Sequence, residues 1–236
     1  MRLRRVIQVC ENWYEPILAE MKIARNPVMK LKNGLILEYD RRRFSLEMFI
    51  DNPYAFLNVS GQDVVDIGAY NADSSLYFAF RGARRVFAYE PFPKNFRLAK
   101  RNIELNRFRN IYLFNSAVGG EPRKMRIDPN GGSSLASRAI EFDNGFEIPV
   151  ETLRSIAEGN HIIKAVLKLD CEGCESDVIL AADSITLKRF PEICIEYHSC
   201  RDKIIRRLQQ EGFDVFVISE YSRSQGLMFA RQQSVS

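Results

Sequence analysis

The stretch DVVDIGAYNAD, residues 63–73, decides the fold. Its first half, with Val64, Val65 and Ile67, is typical of a short buried strand, and Gly68 allows the backbone to turn tightly where that strand ends. Asp73 or Ser74 then offers a side chain that can begin a helix over 73–81. A buried strand that leads through a tight turn into a helix predicts one unit of an α/β protein.

The alternation of strand and helix continues along the rest of the chain. Further strands are predicted at 85–90, 111–118, 165–170, 192–198, 213–219 and 226–231, and helices at 93–106, 175–190 and 200–210. Elements that alternate in this way form a sheet with helices on both faces, so the predicted fold class is α/β. The segment 119–150 is rich in Gly, Asn, Asp and Ser, which predicts an inserted loop or hairpin.

Residues 1–60 show a different pattern, without that alternation. A helix is predicted over 11–23, a β-hairpin over 28–39 and a second helix over 51–57. The hairpin follows from Asn33-Gly34, because this pair between two alternating runs is a strong hairpin signal. We therefore interpret 1–60 as an N-terminal helix and hairpin cap, and 61–236 as the main domain.

The composition is that of an ordinary globular protein. Of the 236 residues, 46% are hydrophobic and 27% are charged, which argues against disorder, collagen and coiled coil. The net charge of +4 is too small to indicate nucleic-acid binding by itself. No run approaches the ~18 apolar residues of a membrane helix, no signal-peptide core follows the N-terminal arginines, and five cysteines do not suggest a disulfide scaffold. We expect a soluble, cytoplasmic protein.

The residues that follow the strands indicate the ligand, because ligands of doubly wound sheets bind beyond the carboxyl ends of the strands. Glu90 ends the second strand, where a carboxylate can accept hydrogen bonds from both hydroxyls of a ribose. Only Gly68 remains of the glycine fingerprint of dinucleotide sites, so a pyrophosphate is not favoured. Asp66 instead suits an ammonium group, directly or through water. A ligand with a ribose and an amino acid end is S-adenosylmethionine.

From about residue 60 to residue 200 the sequence resembles the FkbM-type class I methyltransferases, which depend on S-adenosylmethionine. The resemblance is carried by VVDIGAYNADSSLYFA (64–79), VFAYEPFPKNFRLAKRNIELN (86–106), NSAVG (115–119), GGSSL (131–135), VETL (150–153), LKLDCEGCESDVI (167–179) and IEYH (195–198). The start of the sixth segment is the most specific part, because it nearly matches the family's Lys-Ile-Asp-Val-Glu-Gly-x-Glu signature. Two positions depart from the family pattern: Tyr70 stands where Asn is usual, and Ala72 replaces a glycine.

The resemblance implies a Rossmann-like, seven-stranded mixed sheet that ends in an antiparallel hairpin. It also implies S-adenosyl-L-methionine as methyl donor and, usually, an oxygen acceptor on a sugar or natural-product scaffold. The residues expected to bind the cofactor are Asp66, Gly68, Ala69, Tyr70, Glu90, Pro91, Ser116, Ala117 and Asp170. The departures at Tyr70 and Ala72 bear on cofactor affinity and leave the predicted fold unchanged.

The acidic set after the fourth strand of the sheet contains candidate catalytic residues. Asp170 and Glu172 share a face while the chain is extended, and they could act as a general base, as ligands of the acceptor's polar groups or as oxygen ligands of a divalent cation. His198 follows the fifth strand and is a second candidate base, because histidine titrates near ~6.5. We expect Asp170 or His198 to be the base, Glu172 to orient the acceptor, and no metal to be bound.

Three further residues of this region are expected to be structural. Lys168 is predicted to be buried in its strand, so it needs an acidic partner, Asp66 or Glu196. Cys171 and Cys174 have Cys-x-x-Cys spacing, but the two further ligands that zinc requires are not evident. We expect both cysteines to fill small buried spaces rather than to carry metal or redox chemistry.

Three functions stay open on the sequence. The favoured one is methyl transfer to a hydroxyl of a saccharide or small metabolite. The run Arg41–Arg43 permits a macromolecular acceptor, RNA or protein, and the same fold could also serve as a non-catalytic nucleoside-binding module. The expected partner is a small-molecule or glycan acceptor, and neither nucleic-acid binding nor membrane insertion is expected.

Overall fold

The computed structural model describes residues 3–15, 18, 28–39, 47–128 and 145–233. Its strands are β1 (Val28–Lys30), β2 (Ile36–Glu38), β3 (Asp63–Ile67), β4 (Arg85–Tyr89), β5 (Ile111–Phe114), β6 (Ala117–Val118), β7 (Arg123–Ile127), β8 (Phe146–Glu151), β9 (Ala165–Leu169), β10 (Glu192–Tyr197), β11 (Phe213–Glu220) and β12 (Gly226–Gln232). Its helices are α1 (Leu3–Val9), α2 (Glu47–Ile50), α3 (Asp73–Phe80), α4 (Pro93–Asn106), α5 (Leu153–Gly159), α6 (Glu175–Ala181), α7 (Ser184–Leu187) and α8 (Arg201–Gln210).

The main sheet has seven strands in the order β11-β12-β10-β9-β3-β4-β5. Neighbouring strands are parallel in the part of the sheet formed by β10, β9, β3, β4 and β5. Strand β12 runs antiparallel to both of its neighbours, β10 and β11. This arrangement confirms the predicted seven-stranded mixed sheet with a terminal antiparallel hairpin. The carboxyl ends of the parallel strands meet at one edge, and the predicted site residues follow those ends.

Helices cover both faces of the sheet, because alternate residues of the central strands point to opposite sides. Every residue of β3 and β9 is buried. Val64 packs in an apolar cluster with α3 and the N-terminal hairpin. Val65, its neighbour, packs in a second cluster with side chains of α5, α6, α7 and α8. The predicted α/β layering is therefore confirmed.

The N-terminal hairpin pairs β1 with β2 in antiparallel register. Its loop contains Asn33-Gly34, and Gly34 takes a φ of +92°, which glycine adopts without steric cost.

Most of the helix predicted over 11–23 lies outside the described residues. The division of the chain into a cap, 1–60, and a main domain, 61–236, stays a prediction.

Two asparagines of α4 bind the hairpin as a neighbouring strand would. The side-chain amide of Asn102 accepts a hydrogen bond from the Glu38 N–H at 2.7 Å and donates one to the Glu38 carbonyl at 3.0 Å. Asn106 makes the same pair of bonds with Ile36. These bonds dock the edge of β2 on α4, so both asparagines have a structural role.

The strand predicted over 111–118 divides into two strands that belong to different sheets. β5 ends the main sheet at Phe114, and β6 joins a three-stranded sheet in the order β6-β8-β7. Asn115 stands between them, and its amide donates to the carbonyl oxygens of Glu90 and Pro91, each at 2.9 Å. These bonds hold the chain where it leaves the main sheet. β7 and β8 form an antiparallel pair at the two ends of the predicted insertion, while 129–144 lie outside the described residues.

Two helix predictions are corrected. The helix predicted over 175–190 is interrupted at Ala182, which is extended, and the Asp183 carboxylate then caps α7 by accepting from the Thr186 N–H at 2.8 Å. Residues 51–57 form turns rather than a helix, because Asn52 has a φ of +50° directly after α2. Within the described part of the chain, the helices are too short or too polar to cross a bilayer.

Candidate active site

A cavity of about 270 Å³ opens at the carboxyl edge of the main sheet. It is bounded by the turn after β3, by the end of β4, by the segment that joins β5 to β6, and by the loop between β9 and α6. The predicted cofactor and catalytic residues that line it are Gly68, Pro91, Ser116, Ala117 and Glu172. The cavity therefore lies where the sequence places a cofactor.

Gly68 allows the turn after β3 to approach the end of β9. It has a φ of +79°, and a Cβ at this position would lie 1.7 Å from the carbonyl oxygen of Asp170. The amides of Gly68 and Ala69 both donate to the Tyr89 carbonyl at 3.0 Å. The loops that end three neighbouring strands are thus held together through backbone, and a side chain at position 68 would separate them.

Asp66 is buried beneath this turn and is held by protein groups. Lys168 Nζ lies 3.0 Å from Asp66 Oδ1, and the hydroxyls of Ser74 and Ser75 donate to Oδ2 at 2.7 and 2.6 Å. Burial alone would lower the pKa of Lys168, but the neighbouring carboxylates raise it. The predicted pairing of Lys168 with Asp66 is confirmed, and a contact of Asp66 with the cofactor stays a prediction.

Glu90 is buried at the end of β4 and organises two loops. Its carboxylate accepts hydrogen bonds from the Tyr70 N–H at 2.9 Å, the Phe92 N–H at 3.0 Å and the Asn95 amide at 3.1 Å. Burial raises the pKa of Glu90 to about 7, although these three bonds oppose the rise. A carboxylate can accept about four bonds, so acceptor capacity remains for a ribose hydroxyl.

Ser116 presents a buried hydroxyl to the cavity. Its Oγ has no hydrogen-bond partner within the described part of the chain, and the residue lines the cavity. Buried polar atoms are nearly always hydrogen-bonded in folded proteins, so an exception requires an explanation. A polar atom of a bound ligand could form the missing hydrogen bond with this hydroxyl, which fits the expectation that Ser116 binds the cofactor.

The predicted catalytic residues come together beside the loop that follows β9. His198 Nε2 lies 3.3 Å from Glu172 Oε2, and His198 Nδ1 lies 3.0 Å from Glu175 Oε1. Asp170, Glu196 and His198 each place one potential ligand atom within 4.8 Å of the others. These three side chains could offer ligands to a cation, but both ring nitrogens of His198 already contact carboxylates.

The electrostatics of this cluster distinguish the histidine from the acids. Burial would lower the pKa of His198, but its bond to Glu175 and the nearby carboxylates raise that pKa to about 9. Burial raises the pKa of Asp170, and burial together with Asp170 raises the pKa of Glu196 to about 8. At neutral pH the imidazole is therefore cationic. Burial favours the protonated form of both acids, and each is a stronger base than an ordinary carboxylate once its proton has left.

The loop between β9 and α6 contains a disulfide, which corrects one sequence expectation. Cys171 and Cys174 are bonded to each other, with their Cα atoms 5.6 Å apart, so they are not free thiols that fill buried spaces. Glu172 and Gly173 between them have φ values of +59° and +123°, and this turn brings the cysteines together. Their spacing was the available signal in the sequence.

Residues 66–215, well over half of the chain, match the family described as Methyltransferase FkbM domain. The chain belongs to the FkbM methyltransferase family. The expectation from the sequence is thereby confirmed. A search of curated proteins gives no significant match.

Solved structures show that this FkbM chain has the fold of Rossmann-like methyltransferases. It is similar to methyltransferase FkbM of Methylobacillus flagellatus, with a TM-score of 0.52 and 16% identity over 75% of this chain and 45% of that one. It is also similar to precorrin-6y C5,15-methyltransferase of Geobacter metallireducens, with a TM-score of 0.50 and 15% identity over 82% of this chain and 93% of that one. Its similarity to Trm5b of Pyrococcus abyssi has a TM-score of 0.50 and 16% identity over 88% of this chain and 56% of that one. These likenesses show the fold, and the chain spans less than half the length of the Methylobacillus protein.

Two residues of the FkbM site were not predicted from the sequence as catalytic or binding residues. Glu196 lies in β10, two residues before His198, which follows the end of that strand, and this spacing was the available signal. Glu175 lies at the start of α6, three residues beyond Glu172 in the sequence. Its contact with His198 joins residues 23 positions apart, which no local pattern reveals.

Proposed function

We propose that this FkbM chain is an S-adenosylmethionine-dependent O-methyltransferase whose acceptor is a hydroxyl of a saccharide or small metabolite. The observation that carries the proposal is the meeting of Asp170, Glu196 and His198. The cluster reaches the cavity through Glu172, which contacts His198 and lines the cavity. The fold and the family both support methyl transfer. The acidic cluster supports an acceptor whose proton must be removed.

The residues of the cavity fit S-adenosylmethionine. Gly68 lets the turn after β3 approach β9 so closely that a Cβ would lie 1.7 Å from the Asp170 carbonyl oxygen. Ser116 offers a hydroxyl without a partner among the described residues, and Glu90, between the lining residues Tyr89 and Pro91, offers a carboxylate for the ribose. When bound, this cofactor supplies a methyl group on a sulfonium that is already electrophilic. The chain has then to align the acceptor with that methyl group and to remove the acceptor's proton.

Asp170 and Glu196 are the groups we assign to proton removal. A carboxylate with a raised pKa takes a hydroxyl proton more readily than an ordinary one, and a base is most effective when its pKa lies near the working pH. His198 is held between Glu172 and Glu175, so it compensates the negative charge of the cluster. Carboxylates also accept hydrogen bonds from neighbouring hydroxyls, which favours a polyhydroxylated acceptor.

Cofactor binding is the first test. We expect S-adenosylhomocysteine to bind the wild-type protein in calorimetry, and binding to fall by at least about tenfold in Glu90→Ala, since several hydrogen bonds are lost. Glu121→Ala, which changes an exposed acid, is the matched control. Absence of binding by folded wild-type protein would favour a non-catalytic module on the same fold.

Methyl transfer is the second test. We expect radiolabelled S-adenosylmethionine to label members of a saccharide panel, and Asp170→Asn to lose most of this turnover while it binds S-adenosylhomocysteine within a few-fold of the wild type. Asp202→Asn, at an exposed acid of α8, should behave as the wild type. Unchanged turnover in Asp170→Asn would remove Asp170 from the mechanism.

The proposed partner is a glycan or small-molecule acceptor rather than nucleic acid, and the proposed compartment is the cytoplasm. The run Arg41–Arg43, which permits a nucleic-acid acceptor, lies outside the described residues. RNA from a matched extract belongs in the labelling panel as the competing acceptor. Label in RNA and none in saccharides would overturn the proposed acceptor class.

A further inference from the structure

The disulfide between Cys171 and Cys174 is a feature that the proposed reaction does not use, since neither sulfur is needed to hold a cofactor or to accept a proton. All four residues of the loop, 171–174, line the cavity. Both cysteines are partly exposed, so a reductant can reach the bond. We propose that this disulfide is a reversible redox site that fixes Glu172 against His198 and shapes the wall of the cavity. Its effect on the cofactor rests on the proposed function.

The disulfide maintains a backbone turn that is unusual for the residues within it. Glu172 has a φ of +59°, in the left-handed region that a residue with a Cβ seldom adopts. The bond holds the Cα atoms of Cys171 and Cys174 5.6 Å apart. With the ends fixed, the two residues between them have little freedom to relax. The bond thus keeps a glutamate in a conformation that favours glycine.

The turn determines where the Glu172 carboxylate lies. Glu172 Oε2 is 3.3 Å from His198 Nε2. On the other side of the imidazole, Glu175 contacts Nδ1 and also accepts hydrogen bonds from the N–H groups of Cys171 at 3.1 Å and Gly173 at 3.0 Å. Glu175 belongs to α6, whereas Glu172 lies inside the disulfide loop. Opening the bond therefore acts first on the contact between Glu172 and His198.

Reduction of this disulfide transfers two electrons and two protons. A dithiol reductant supplies two electrons and two protons and becomes a disulfide, while Cys171 and Cys174 become two thiols. Two unbonded sulfurs need more room than two bonded ones, so the loop opens and Glu172 can leave the left-handed region. In a cytoplasmic protein, disulfides are usually transient, catalytic or redox-sensing. A redox-sensitive cavity wall is the consequence.

Calorimetry on the full chain tests the effect on the cofactor. S-adenosylhomocysteine is titrated into oxidised protein and into protein reduced with dithiothreitol, with intact mass confirming the state of the bond. We expect reduction to weaken binding by about tenfold, a usual size for coupling between two sites. The double variant Cys171→Ser, Cys174→Ser should bind as weakly in both conditions. Cys200→Ser, at an exposed free cysteine, should respond to dithiothreitol as the wild type does.

The histidine ring signals separate failure of this proposal from failure of the proposed function. The chain has two histidines, His161 and His198, so their NMR resonances are readily assigned. Reduction should shift the ring signals of His198 and leave those of His161. If neither the oxidised nor the reduced protein binds S-adenosylhomocysteine, the proposed function fails. In that case the change in the His198 ring signals on reduction decides by itself whether the disulfide positions Glu172. Equal affinity in both forms overturns the effect on the cofactor, and unmoved His198 signals overturn the redox site itself.

Discussion

The buried amine of Lys168 lies 3.0 Å from Asp66 Oδ1, directly beneath the turn that carries Gly68. Lys168 also donates to the carbonyl oxygen of Gly68 at 2.9 Å, so the ion pair and the turn support each other. The hydroxyl of Ser74, in the first turn of α3, holds the second oxygen of the same carboxylate. One charge pair therefore joins β3, β9 and α3 at the edge of the sheet that faces the cavity.

Replacement of Lys168 by Met should destabilise the fold strongly. The substitution keeps most of the side-chain volume but leaves the buried Asp66 carboxylate without a positive partner, which costs about 3–5 kcal/mol in comparable pairs. Urea denaturation measures the change in the free energy of unfolding. Lys124→Met, at an exposed ion pair with Glu147, should change it little. Equal stability of both variants would show that the buried pair does not support the turn.

Replacement of Gly68 by Ala should abolish cofactor binding. A Cβ at this position would lie 1.7 Å from the Asp170 carbonyl oxygen, so the turn must move away from β9, and overpacking of this kind costs roughly 1–3 kcal/mol. Gly159→Ala is the matched control, because a Cβ there meets no atom within 4 Å. Calorimetry with S-adenosylhomocysteine on both variants checks the result. Undiminished binding by Gly68→Ala would place the cofactor away from this turn.

The fold could be predicted because its signals are local. The apolar residues of β3 and the change from strand to helix at Gly68 need no knowledge of distant residues. The start of α4 at Pro93 follows from the preference of proline for the first position of a helix. The division of the strand predicted over 111–118 could not be predicted. It depends on the bonds from Asn115 to the carbonyls of two residues more than 20 positions away.

In the candidate site, too, contacts between residues distant in the sequence were harder to predict than local features. The pairing of Lys168 with Asp66 could be predicted, since a buried lysine in a central strand requires an acid nearby. The contact of Glu175 with His198 depends on how α6 is placed against β10, which the chain sets only on folding. The disulfide depends on the positive φ of Glu172, and local propensity argues against that conformation for a glutamate. Sequence reasoning fails here at positions where tertiary structure overrides local preference.

Replacement of Ser116 by Ala separates a ligand-binding hydroxyl from a structural one. The Oγ makes no hydrogen bond to the described residues, so its removal should leave the free energy of unfolding unchanged or slightly higher. Affinity for S-adenosylhomocysteine should fall by about 0.5–1.5 kcal/mol, the usual net contribution of one hydrogen bond. Thermal unfolding and calorimetry on one preparation give both numbers. Loss of stability with unchanged affinity would contradict the ligand role.

The pH dependence of stability should carry a signature of His198. Its pKa in the folded protein is raised to about 9, since the contact with Glu175 outweighs burial, while an unfolded histidine titrates near ~6.5. The folded chain thus binds this proton more tightly than the unfolded chain. The stabilisation is fully present below about pH 6.5 and is lost as the pH rises through about 9.

The variant His198→Gln isolates this contribution. We expect the free energy of unfolding of the wild type to fall more steeply between about pH 7 and 9 than that of the variant, by up to about 3 kcal/mol for a difference of two to three pKa units. NMR titration of the ring gives the pKa of His198 directly, with His161 as an internal reference. Glu175→Gln should lower that pKa, because the main charged partner of the ring is removed. A wild-type value near ~6.5 would make His198 neutral at pH 7 and return it to the role of base, in place of Asp170 and Glu196.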